Sequence, residues 1–225
     1  MDTCRWTDLP LFPLNTVLFP GMVLPLHIFE ERYKLLINRC FEEQRPFGVL
    51  LIRQGREVGE TPVPYGVGTT TMIAGLNRLE DGQMNVVTVG SERFRLSSLR
   101  HDQPYLVGDA EAWPLTGAGA AQAQHQVGPV CALFRQYLTL LAQAEGQKID
   151  IAEMPEEPRT LALLVAIALQ LPMPQKQRLL SQPTVQHLLL RERAIMRREQ
   201  LLLHHMIRTQ TQQWEGGHSG YLARN

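Results

Sequence analysis

Four prolines inside one apolar stretch, Leu9–Tyr33 (LPLFPLNTVLFPGMVLPLHIFEERY), constrain this chain more than any other feature. Pro10, Pro13, Pro20 and Pro25 each lack a backbone N–H, fix their own φ and push the preceding residue into the extended region, so the segment cannot be helical. Leu11, Phe12, Leu14, Val17, Leu18 and Phe19 give it apolar surface to bury. Gly21 after Pro20 permits a tight turn, the chain then runs extended through Leu26, and Phe29 begins a helical period.

The following residues, to about Ala112, keep the same grammar of short apolar runs broken by Gly, Pro and Asp-Gly. Phe47–Ile52, Val67–Leu79, Met84–Val89, Arg93–Leu99 and Tyr105–Ala112 are predicted strands. Gly82 can take the positive φ of a hairpin turn, which makes Val67–Leu79 and Met84–Val89 an antiparallel pair. One helix interrupts them. Phe29, Tyr33, Leu36, Ile37 and Cys40 recur at three- and four-residue steps, with Glu30, Glu31, Arg32 and Lys34 opposite. Residues 8–112 therefore read as a small barrel-like sheet with one inserted helix.

Residues 113–124 contain the small-residue run Leu115–Ala121 and read as a linker. Beyond it the period becomes helical. Val130, Leu133, Phe134, Tyr137, Leu138 and Leu141 predict a helix over 128–144. Pro158 opens the next, Arg159–Leu171, which is apolar almost all round; Pro172 and Pro174 end it and start a short one at Gln175–Leu180. Pro183 precedes the last, Thr184–Gln212, whose stripe includes Glu192 and Glu199 and so predicts a half-buried middle. Residues 125–212 thus form an all-α bundle and 213–225 a flexible tail. The fold class is α+β.

Composition closes several functional classes. The sequence holds 22 Lys and Arg against 22 Asp and Glu, and the sheet part carries 14 acidic against 11 basic side chains, opposite to what a polyanion-binding face needs. Arg191, Arg193, Arg197 and Arg198 interleave with Glu192 and Glu199, as on a solvated helix face. Cys4, Cys40 and Cys131 are odd in number and widely spaced, which suits reduced thiols. No basic and apolar leader opens the sequence, and no apolar stretch approaches the ~20 residues of a membrane span, so a cytoplasmic protein is expected.

Chemical motifs are equally sparse. The three lysines, Lys34, Lys148 and Lys176, stand outside any GxxxxGK loop. Gly66-Val67-Gly68 leads into Thr69-Thr70-Thr71 where a nucleotide-binding turn would lead into a helix, so these glycines read as strand-edge or bulge positions. No HExxH or HxxxH pair offers two metal ligands on one helix face, and no serine sits in a nucleophile elbow or beside a lysine. No cofactor, metal or catalytic residue is expected.

The proline-rich stretch closely resembles the start of the LON domain, the N-terminal substrate-binding domain of Lon proteases. The likeness continues through Arg45-Pro46-Phe47-Gly48, Glu57-Val58-Gly59, Tyr65-Gly66-Val67-Gly68-Thr69, Asn85–Gly90 with Arg93-Phe94-Arg95, and Pro104-Tyr105-Leu106-Val107. It extends into the helical part at Leu171-Pro172 and Lys176-Gln177, covering about residues 8–210. The resemblance implies a PUA-like β-fold followed by helices. It resembles the stand-alone bacterial members, with neither the AAA+ ATPase nor the Ser-Lys peptidase signatures of Lon proteases, and it shows no cysteine-rich zinc module like that of cereblon.

What the resemblance implies is a non-catalytic module that binds polypeptides, unfolded or partner proteins, with a separate Lon-type protease as a further partner. Candidate contacts are Phe12, Leu18, Phe19, Met22, Leu26 and His27; Met22 would suit a promiscuous surface because its side chain repacks readily. The competing reading places these apolar residues in the core of the β-domain. Alternatives for the whole chain are an adaptor docking one partner through Leu188, Leu189, Ile195, Met196, Leu202 and Leu203 of the last helix, and an RNA-binding PUA-like module, against which the acidic sheet part speaks.

Overall fold

A computed structural model describes residues 4–59, 62–147, 149–151 and 153–216, with side chains to Thr209. The element order is β1 (Arg5–Leu14), β2 (Val23–Ile28), α1 (Glu31–Glu42), β3 (Phe47–Gln54), β4 (Val63–Pro64), β5 (Val67–Arg78), β6 (Met84–Arg100), β7 (Leu106–Ala112), α2 (Ala121–Ala144), α3 (Pro158–Ala168), α4 (Met173–Leu180) and α5 (Val185–Gly216). This is a mixed α+β architecture, a mainly antiparallel sheet plus five helices. The described residues fall into two compact units: those up to Thr116 with Ala166–Pro183, and Gly117–Val165 with those from Thr184 onward.

In the first unit the strand order is β1-β7-β6-β5-β3-β4, and β1 also pairs in parallel with β3, so the pairings close into a ring. β1 is buried without interruption from Leu9 to Leu14, because both of its faces meet core. Leu9 and Leu11 pack with Leu50, Phe94 and Leu106; Phe12 and Leu14 pack with α1 and β3. At Gly68 a Cβ would run into the Phe94 ring and the β3 backbone, so only glycine lets these strands approach.

The hairpin at Gly82 forms as the sequence predicts, with φ +77° and Leu79 N–H donating to Gln83 O at 2.8 Å. Met84–Val89 and Arg93–Leu99 are one strand rather than two. Gly90–Glu92, which read as a break, lies at a register shift opposite Thr69–Thr71, an irregularity inside a continuous ladder.

Helix α4, expected among the later helices, belongs to the first unit. Gln177 Nε2 donates to Val67 O at 2.9 Å, and the buried Arg93 guanidinium donates to Leu180 O (2.6 Å) and Gln182 O (2.7 Å) while lying over the Trp113 ring. These hydrogen bonds span 87 to 110 residues, outside the reach of any local period. Lys176 Nζ caps the end of α3 by donating to Ala166 O and Ile167 O, and burial lowers its pKa.

In the second unit α2 and α5 pack together, with Val130, Phe134 and Tyr137 buried and Gln200 Nε2 donating to Leu133 O. Helix α2 starts at Ala121, not near 128; alanines are the strongest helix formers, and Ala123 is wholly buried. That start takes in residues read as linker and leaves Pro129 inside the helix. Glu192 is wholly buried rather than half buried, and burial pushes its pKa well above the carboxylate range, favouring the neutral acid. Leu188, Leu189 and Met196 are buried too, while Leu201 and Leu202 are exposed. Helix α5 continues through residues 213–216, read as tail; residues 217–225 of that tail lie outside the described residues. Among the described residues no helix is long and apolar enough to cross a membrane, and no cluster of His, Cys, Asp or Glu could hold a metal ion.

Candidate functional site

The first unit contains a groove of about 340 Å³ running beside β2. Its floor is Phe12 from β1 and Tyr33 from α1, whose rings sit 4.1 Å apart. One side is β2 and the residue after it, Leu24 to Phe29; the other is Asn15-Thr16 and Glu57-Val58. The volume is at the lower end of the roughly 300–1,000 Å³ typical of binding pockets.

The local causes are readable. Strand β2 alternates, with Leu24, Leu26 and Ile28 toward the core and Val23, Pro25 and His27 exposed, because only one of its faces is covered. Its turn is held by Gly21, at φ +80°, whose N–H donates to Gly90 O, while Gly90 N–H donates to Met22 O. Asn15 N–H donates to a Glu57 carboxylate oxygen at 3.1 Å, which ties the far wall down. Arg32 braces the groove from behind: it pairs with Glu30 at 2.9 Å, donates to Glu57 O at 3.2 Å and lies over the Tyr33 ring. Among the described residues two carboxylates, Glu30 and Glu57, line the groove, and no Lys or Arg does. Burial pushes the Tyr33 hydroxyl up to about 12, so it stays a neutral phenol at ordinary pH.

The six residues singled out from sequence separate. Phe12, Leu18 and Phe19 are buried core, which corrects their reading as surface contacts. The reason is the run 15–22, which folds down over the sheet: buried Thr69 Oγ1 donates to Leu18 O at 2.6 Å, and Gly90, having no Cβ, lets Phe19 O approach its backbone. Phe12 still contributes to the groove floor. Met22 is half-buried against the core and lies away from the groove. Leu26 and His27 line it, and His27 Nδ1 hydrogen-bonds Asn85 Oδ1 at 2.8 Å.

Sequence reasoning missed Phe29, Tyr33, Glu57 and Val58 as groove residues. Phe29, read as the first residue of the helical stripe, precedes α1 and stands 49% exposed at the rim. Its exposure was hidden by a period that fits a helix face. Beyond the groove the outer face of β2, β6 and β5 is also apolar: Val23 pairs with Val89, which pairs with Met72, and all three are exposed.

The family model for the "ATP-dependent protease La (LON) substrate-binding domain" matches residues 8–198. The chain belongs to that family. Among curated LON-containing relatives, a Lon protease from Azospirillum brasilense is 29% identical over 84% of this chain and 24% of its own length, and one from Anaeromyxobacter dehalogenans 27% over 76% and 21%. The chain thus spans about a quarter of the length of the curated relatives it matches. Among solved structures, a Lon N-terminal domain protein from Xanthomonas campestris aligns with TM-score 0.60 and 26% identity, covering 83% of this chain and 96% of that one. The N-terminal domain of a Mycobacterium avium complex Lon protease shares the fold at TM-score 0.63 and 18% identity, over 84% and 98%.

Proposed function

We propose that this LON-domain chain is a non-catalytic module that binds polypeptide segments in the groove beside β2. The observation that supports this reading most is the groove itself, floored by the apolar rings of Phe12 and Tyr33, in a chain of the substrate-binding family. Apolar burial yields roughly 25 cal/mol per Å² without demanding a particular sequence, which suits a binder of varied chains. We assign the closed ring of strands to the PUA-like class and the helices of the second unit to a bundle on the same footing. A separate Lon-type protease is the partner such a module would serve.

The test is titration of fluorescent apolar peptides against the full chain and against Leu26→Asp. Expected is saturable binding that Leu26→Asp weakens about tenfold or more; no binding, or binding indifferent to position 26, overturns the reading. A second reading, an adaptor that docks one partner, draws on the exposed Leu201 and Leu202 of α5. Leu201→Asp separates the two: it leaves peptide binding in the groove unchanged and abolishes an α5-mediated complex.

A further inference from the structure

We propose that the occupant of the groove is an extended polypeptide segment that adds as a strand to the free edge of β2, carrying a basic residue opposite Glu57. This rests on the polypeptide-binding reading and specifies how the segment is held.

Five consecutive residues of β2, Leu24 to Ile28, line the groove, and they alternate between its covered and exposed faces. A groove that meets consecutive residues of both orientations runs along the backbone of the strand. Among the described residues β2 pairs with β6 and with no other strand, so its other edge has no neighbour within the sheet.

Gly90 N–H donates to Met22 O, and Val23 pairs with Val89. In an antiparallel ladder successive residues alternate between aiming both main-chain groups at the partner and aiming both away. Leu24, Leu26 and Ile28 therefore face β6, as the bond from Thr88 Oγ1 to Leu24 O also requires. Val23, Pro25 and His27 aim theirs at the free edge. They offer N–H and C=O at Val23 and His27 and a lone C=O at Pro25, spaced as a strand needs. A proline is tolerated in a sheet at such an edge, where its missing N–H costs no ladder bond, and it also discourages unselective pairing.

Among the described residues the groove is lined by the carboxylates of Glu30 and Glu57 and by no Lys or Arg; Glu30 is ion-paired with Arg32, whereas the Glu57 carboxylate accepts from the Asn15 main-chain N–H. A guest strand would place alternate side chains toward Phe12, Leu26 and Tyr33, which selects apolar residues at every second position. A Lys or Arg near Glu57 completes it. Main-chain bonds would then supply sequence-independent affinity and the alternate pockets selectivity.

The experiment uses the full chain and a short fluorescent peptide alternating Leu or Phe with Ser and bearing one Lys, in three forms: unmodified, N-methylated at the even backbone amides, and N-methylated at the odd ones. Methylation deletes donors while leaving every side chain in place, and it puts no substitution in the protein. Expected is saturable binding of the unmodified peptide, about tenfold or greater loss in one methylated register, and little change in the other. Replacing the peptide Lys by Glu should weaken binding further at low salt and less at high salt. Equal affinities for all three forms, with Leu26→Asp still weakening binding, would overturn strand addition and leave polypeptide binding standing. Indifference to Lys or Glu would overturn the charge assignment, and absence of binding by every form would overturn both readings.

Discussion

Strands β1 and β2 come from one proline-rich stretch of similar composition and meet opposite fates. Strand β1 pairs with β7 on one edge and β3 on the other and is buried on both faces from Leu9 to Leu14. Among the described residues strand β2 pairs with β6 alone and keeps one face and one edge open. Phe12 and Phe19 end in core, whereas Phe29 stands at the groove rim. What distinguishes them is the number of neighbours each backbone finds, not hydrophobicity. Apolar residues beside an unshared edge are left to make a surface.

Substitution can break that contrast. The largest effect is expected for Phe19→Ala, which empties a wholly buried site and should cost about 3–5 kcal/mol of unfolding free energy in urea titration. A loss below about 1 kcal/mol, short of any core cavity, would show that the run 15–22 is not pinned to the sheet. Gly90→Ala follows, at about 2 kcal/mol, because its Cβ would meet Phe19 main-chain atoms that cannot swing aside. Thr69→Val removes the donor to Leu18 O with little change in shape and should cost about 1 kcal/mol. Phe29→Ser, half-exposed, should change stability by about 0.5 kcal/mol or less yet lower the affinity of the alternating peptide. Were Phe29→Ser as damaging to stability as Phe19→Ala, the distinction between the two segments would collapse.

Much of the local structure was legible. The turn at Gly82, the inward residues Tyr33, Leu36, Ile37 and Cys40 of α1, and the strand read at Phe47–Ile52, which runs two residues further to Gln54, follow from period and from glycine's access to positive φ. Of the six residues singled out from sequence, Leu26 and His27 line the groove proposed as the site and Phe12 its floor, while Leu18, Phe19 and Met22 are elsewhere. Glu57 and Val58 could not be found by any period, because they reach the groove through a loop held by Asn15 and Arg32.

Alternation and spacing say which face of an element is apolar, because side chains differ from residue to residue, and in that sense the amino-acid order alone determined most of the strands, turns and helices of this LON-domain chain, though not the start of α2 or the continuity of β6. Which edge finds a second strand is a matter of main-chain N–H and C=O groups, which are nearly the same in every residue and leave no mark in the sequence. Only the tertiary structure therefore decided that β1 closes the ring, that Gln177 and Arg93 hold α4 to the sheet, and that β2 borders an open groove.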